Sequence, residues 1–510
     1  MADSVLLLPL DSRPVSTRLP ADLCRMARWR VLMPPARTLG HLHSPADFNA
    51  IKSWFIDTMV PQVRALFVSA DLLCYGGLIF SRENRVSCEI ALQRLALLEH
   101  MRERFPDVPI FATGIVLRDS ISVRSDEDFA LWEQLQSGRG PYPAWFTRLR
   151  ERNAAVNRRL LDLVHNGTVD FALIGKEDTA PNNPFRKELS ALRQTIRERG
   201  LGKKARVING TDELMALLVA RYVARRAGVR TRVFVDAQGS DFPDRVPLYE
   251  SRPLMRTIED QIRVAGAQVA GAGKPHDLQL LLHCPEQQQQ DLFAMQLQSS
   301  GFEPEPAAQK RVCENLLNAI KNEKKMVSLA DVMYANGADP VLSHMLISSG
   351  FMLKLASWAA WNTASNTTGT VVATSIILRC MMKTNASNCV KILIDDHIKL
   401  IINRIADDYI YQTCTRNFLV NYADNPHDIQ NIDDVDRNLT RLYVKKWNEK
   451  ITNKLLQSES ESAVSKNKSI VFLSATPGRI SLPWQRLFEC DAVPQVHFNV
   501  LDVEECNETS

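Results

Sequence analysis

Several times in this chain, ionisable and amide side chains follow directly on a short apolar run. The pattern appears in Leu10-Asp11-Ser12-Arg13, in Ala70-Asp71 with Tyr75, Gly76, Gly77 and Arg82 behind it, and in Arg118-Asp119. It recurs in Ile174-Gly175-Lys176-Glu177-Asp178 and in Asn209-Gly210-Thr211-Asp212-Glu213. Two richer cases are Ala330-Asp331 with Tyr334, Asn336, Gly337 and Asp339, and Ala360-Trp361-Asn362-Thr363 with Asn366 and Gly369. Carboxyls at such places give and take protons, while Asn, Tyr, Trp and Arg orient a small polyhydroxylated or amide-bearing ligand. The residues expected to carry catalysis are Asp71 and Asp331. Those expected to bind substrate are Asp11, Arg13, Tyr75, Arg82, Asp178, Tyr334, Asn336, Asp339, Trp361, Asn362 and Asn366. Asp11 and Asp178 stand in reserve as acid–base groups.

Each stretch also has a plain structural explanation. Asn and Gly form turns, Asp caps helices, and an Asp–Arg pair ties down a loop. What favours a site is repetition at successive strand ends. Three ionisable residues in a row after a buried strand are costly unless paired or solvated.

To position these residues, the chain alternates strand-like runs with amphipathic helical patterns as far as about residue 360. The strands expected are Val5–Leu10, Val31–Met33, Leu66–Ala70, Ile110–Val116, Phe171–Ile174, Arg206–Ile208, Val233–Val235, Leu278–Leu282, Met326–Ala330 and Leu353–Ser357. Alternation of this kind implies an α/β fold with mainly parallel sheets and crossover helices. Doubly wound lobes are the first expectation, and a closed β/α barrel is the alternative. The domains expected are an N-terminal lobe over residues 1–270, a second lobe over 271–375, a helical region over 376–457, a linker at 458–468 and a docking segment over 469–510. Gln287–Gln290 reads as a solvated helix face or loop.

Composition narrows the classes. The 510 residues carry a net charge of +4, 45% hydrophobic and 24% charged residues, which suits a globular chain and gives no sign of a nucleic-acid binder. No apolar stretch reaches membrane-spanning length. Ten scattered cysteines without a C-x-x-C pair fit free thiols in a reducing, cytoplasmic compartment. The chain lacks a G-x-S-x-G elbow, a G-x-G-x-x-G after the first strand and an H-E-x-x-H motif. Gly271-Ala272-Gly273-Lys274-Pro275 has the wrong spacing for a phosphate loop, and His41 with His43 is a weak metal pair. Oxygen-ligated Mg²⁺ or Mn²⁺ stays open, because aspartate sites have no fixed spacing.

The stretches LLLPLDSRP, SADLLCYGGLIFSR, LADVMYANGAD, AWNTASNTTGT and LPWQRLFECD, in this order, resemble the motifs of the bacterial domain of unknown function 4127 family. The resemblance runs from about Leu6 to about Asp491. It implies a bacterial protein folded over its whole length and assigns no catalytic residue. Two functions follow from the residues. One is a hydrolase of a small sugar-like or amide-containing metabolite, with two carboxyls dividing the acid and base roles. The other is a non-catalytic protein that binds such a metabolite with the same polar groups.

Overall fold

The computed structural model describes residues 3–122, 126–136, 141–179, 186–298, 306–384, 390–452, 454, 459–465 and 468–502. Position 458, positions 466–467 and the end of the expected docking segment lie outside the described residues. The chain forms two compact units, Met1–Leu218 with Tyr249–Ser251, and Val219–Leu248 with Arg252–Ser510.

The first unit is built on β1 (Ser4–Leu8), β2 (Arg30–Leu32), β3 (Val63–Ser69), β4 (Ile110–Val116), β5 (Phe171–Lys176) and β6 (Ala205–Asn209). They form one open sheet in the order β2-β1-β3-β4-β5-β6, parallel throughout. All of β1, β4 and β5 is buried, which explains why these strands read as unbroken apolar runs without alternation. The strand order reverses between β1 and β3, and in open sheets the crevice beyond the carboxyl ends of the two strands at such a reversal is where ligands sit.

The second unit repeats this winding. Its strands β7 (Arg232–Asp236), β8 (Gln268–Ala270) and β9 (Leu278–His283) are followed by the short β10 (Gln290–Asp291), then β11 (Met326–Asp331), β12 (Tyr334–Ala335) and β13 (Trp358–Ala359). The main sheet runs β13-β11-β9-β7-β8, again parallel, while β10 and β12 pair separately. Both parallel sheets are open, so the doubly wound expectation holds and the barrel alternative is set aside among the described residues.

Some elements differ from expectation. The strand expected at Leu353–Ser357 is a 3₁₀ turn at Phe351–Lys354 followed by the two-residue β13, because the apolar run buries itself around a turn after Gly350, whose φ is +71°. Gln289 is no solvated residue. It is buried, accepts a hydrogen bond from Leu248 N at 3.2 Å and donates to Val332 O at 2.9 Å. The helical C-terminal region is present as Val390–Arg404, a π-helix over Ile405–Thr415, Arg416–Leu419 and Ile432–Trp447. After it, β14 (Glu459–Glu461), β15 (Lys468–Ser481) and β16 (Asp491–Asp502) make an antiparallel sheet that the sequence reading did not anticipate. Among the described residues no helix is long and apolar enough to cross a membrane.

Candidate functional site

In the first unit the expected residues gather at the carboxyl edge of the sheet. A Cβ placed on Gly77 would stand 3.6 Å from both Asp11 Cβ and Leu10 O, so the turn after β3 lies against the end of β1. Gly77 has φ +126°, a conformation strained for any side chain. Arg13 is buried, bonding Asp11 Oδ2 through Nε at 2.9 Å and Asp212 Oδ1 through Nη2 at 2.6 Å. Arg82 pairs with Glu177, whose other oxygen accepts from Arg118 N at 3.0 Å. Lys176 Nζ donates to Asp119 Oδ1 at 2.8 Å, and burial holds the Lys176 ammonium below its ordinary range. Charges in this run are therefore largely paired with one another. Asp178 is exposed, and its charge acts on the buried Asp212.

Asp71 is different. It sits in the first turn of the helix Ala70–Tyr75, 3% exposed, and its Oδ2 has no hydrogen-bond partner among the described residues. Burial pushes its carboxyl up to about 7, against the opposing backbone donors at Asp71 and Ile115 and the Arg152 charge. Tyr75, one turn on, is buried as well, and the Arg152 guanidinium lies 4.4 Å from its ring centroid.

The second unit brings together the residues from Asp331 to Asn366. Asp331 ends β11 and accepts from Met333 N at 3.2 Å and Asp339 N at 2.8 Å, which folds the segment 331–339 back on its own strand. Asp339 caps the helix Pro340–Ser348 through Val341 N at 2.8 Å, and its second oxygen lies 2.7 Å from His283 Nε2. Asn336 donates through Nδ2 to Asp291 Oδ2 at 3.0 Å, and its backbone N donates to Asn362 O at 2.9 Å. Both asparagines hold left-handed backbone, with φ +63° at Asn336 and +67° at Asn362. Trp361 is buried with its ring centroid 5.7 Å from that of Phe488. Buried polar atoms without a partner among the described residues include the Trp361 Nε1 donor and the Asn336 Oδ1 acceptor here, along with His283 Nδ1, Ser343 Oγ, Ser357 Oγ and Trp358 Nε1. Tyr334 packs with Leu292 and Met333, and Asn366 lies buried in the first turn of Ala364–Thr384 with its N 3.4 Å from Thr363 Oγ1.

The π-helix completes this cluster, and sequence reading missed it. Asp408 is fully buried, its carboxylate accepts from Ala360 N at 2.8 Å and Arg404 Nη1 at 3.0 Å, and its backbone carbonyl accepts from Ala338 N at 3.1 Å. Burial drives its carboxyl up to about 7, opposed by Arg404 and assisted by Asp407 and Asp331. Arg416 reaches Asn336 O at 2.6 Å and Gln296 Oε1 at 2.8 Å. An Arg–Asp-Asp–Gln–Arg series at positions 404, 407, 408, 412 and 416 inside an otherwise apolar helical run was the available signal. His283 was missed too, although it ends β9 as the other candidates end their strands.

Asp71 belongs to the first unit and Asp331 to the second, and each is placed within its own unit. Cavities of about 250 Å³, beside Arg150, Asn153 and Glu188, and about 340 Å³, beside Lys324, Lys325 and Arg379, are lined by other residues than these clusters. Among the described residues no cysteine forms a disulfide.

Fold and cluster together define an α/β protein of two open parallel sheets, with buried polar residues massed at strand carboxyl ends. The chain belongs to the family described as Protein of unknown function (DUF4127), whose model matches residues 5–138 and 142–492. No curated protein and no solved structure matches the chain.

Proposed function

We propose that the second unit binds and hydrolyses a small, neutral, sugar-like or amide-bearing metabolite at the cluster formed by Asn336, Trp361, Asn362 and Asp408. The observation that carries this reading is that two buried polar atoms of the cluster, Trp361 Nε1 and Asn336 Oδ1, have no partner among the described residues. A buried donor and acceptor left unmade are costly unless something satisfies them, and a ligand hydroxyl or amide does both. Left-handed asparagines and a π-helix beside them are features that concentrate at functional sites. In this reading Asp408 and Asp331 divide the acid and base roles. Tyr334, Asp339 and Asn366 hold the surrounding segments. In the first unit, Asp71 is proposed as a separate acid–base carboxyl, with Asp11, Arg13, Tyr75, Arg82 and Asp178 around the strand ends that frame it. A bacterial, cytoplasmic setting without a nucleic-acid partner belongs to the same proposal.

The non-catalytic alternative has its own support, since both Asp331 oxygens are engaged by backbone amides and the residue is 0% exposed. Screening thermal stability against neutral monosaccharides, N-acetylated sugars and small amides, then assaying each stabilising compound for turnover, separates the two. Turnover that disappears in Asp408→Asn supports the hydrolase. A stabilising compound that is never consumed leaves the binding protein.

A further inference from the structure

Beside this cluster three side chains of different chemistry converge. His283 ends β9, Cys313 lies on the helix Pro306–Asn322, and Asp339 caps the next helix. One donor atom from each lies within 4.8 Å of the other two, and all three residues are 0% exposed. Part of this is an ordinary hydrogen bond, His283 Nε2 to Asp339 Oδ2 at 2.7 Å. That bond leaves His283 Nδ1 buried and without a partner among the described residues. The Cys313 thiol is buried beside them.

We propose that His283, Cys313 and Asp339 form a binding site for a thiophilic divalent cation of the zinc class. Nitrogen, sulfur and carboxylate oxygen are the donors that zinc takes in four-coordinate sites, and a thiolate ligand selects against Mg²⁺ and Mn²⁺. Zinc–nitrogen and zinc–oxygen bonds of about 2.0–2.2 Å and a zinc–sulfur bond of about 2.3 Å put tetrahedral ligands roughly 3–4 Å apart. The present spread is within a small side-chain adjustment of that. Binding releases the thiol proton to solvent as the Cys313 sulfur becomes a ligand. It also breaks the His283–Asp339 hydrogen bond, whose proton moves to His283 Nδ1 so that Nε2 and the carboxylate are free to ligate. Three protein ligands leave a fourth position for water. The site stands independently of the proposed hydrolysis, because its readout is the metal itself.

Full-length protein, stripped with chelator and reloaded with Co²⁺, should take up about one cobalt per chain and show a near-ultraviolet thiolate-to-cobalt charge-transfer band. Cys313→Ser should lose that band while retaining native circular dichroism, and His283→Gln should weaken cobalt binding at least tenfold. Cys284→Ser, altering the neighbouring cysteine, should keep the band. A folded wild-type protein with no such band overturns the proposal. So does a band that survives Cys313→Ser or vanishes in Cys284→Ser.

Discussion

At the scale of single residues, the chain distinguishes buried charges that are paired from those that are not. Arg13 with Asp11 and Asp212 is a satisfied network, and removing one member leaves the others stranded at a cost of about 3–5 kcal/mol. Asp71 has no such partner for Oδ2 among the described residues, so burial acts on it directly. Its folded-state pKa of about 7 lies above the ordinary value of 3.8, so the unfolded chain releases this proton first as pH rises. Stability is therefore lost between about pH 4 and pH 7, by an amount on the order of 2–4 kcal/mol. Glu213, pushed by burial to about 8, adds in the same direction. Asp71→Asn is expected to unfold at higher urea than wild type at pH 8 and to differ little at pH 4. Equal urea midpoints at both pH values would show that Asp71 is not held protonated by its surroundings.

At the scale of elements, parallel strands were legible because both faces are covered, so each reads as an apolar run that stops where polar residues begin. Asp11, Asp71 and Asp331 could be placed at strand ends on that basis alone. The π-helix was not legible, since inserting a residue into a helical turn leaves no trace in periodicity until the partners are seen. Nor was β13, where two paired residues are too few to make a pattern. The helical region expected over 376–457 therefore carried no sign of the π-helix, although Thr413 Oγ1 and Thr415 Oγ1 each bond the carbonyl five residues back. Deleting one residue between Asp408 and Gln412 should restore α-helical winding and rotate Arg416 away from Asn336 by about 100°. We expect helix content by circular dichroism to stay near wild type while ligand-induced thermal stabilisation vanishes; persistence of that stabilisation would separate the π-helix from the site. Close backbone approach offers a second check. A Cβ on Gly175, inside β5, would fall 2.2 Å from Gly210 O. Gly175→Ala should cost about 1–3 kcal/mol or more in denaturant unfolding, because strand and turn must separate to admit it.

At the scale of the whole molecule, the same strand order is used twice, β2-β1-β3-β4-β5 in one unit and β8-β7-β9-β11-β13 in the other. Each sheet collects polar residues beyond its carboxyl ends, as open parallel sheets do when they hold ligands. What the two edges do with those residues differs. In the first unit the charges mostly answer one another across strand ends. In the second, left-handed asparagines, a π-helix and buried polar atoms without partners among the described residues, Trp361 Nε1 and Asn336 Oδ1 among them, belong to one cluster, and that concentration is why the ligand site is assigned there. Trp361 tests this most directly. Trp361→Phe keeps an aromatic ring facing Phe488 and removes only the indole N–H. For any compound that raises the melting temperature of the wild type, the stabilisation should fall by more than half in Trp361→Phe and disappear when Asn336→Ala is added. A compound that stabilises wild type and both variants equally would contradict the assignment of the site.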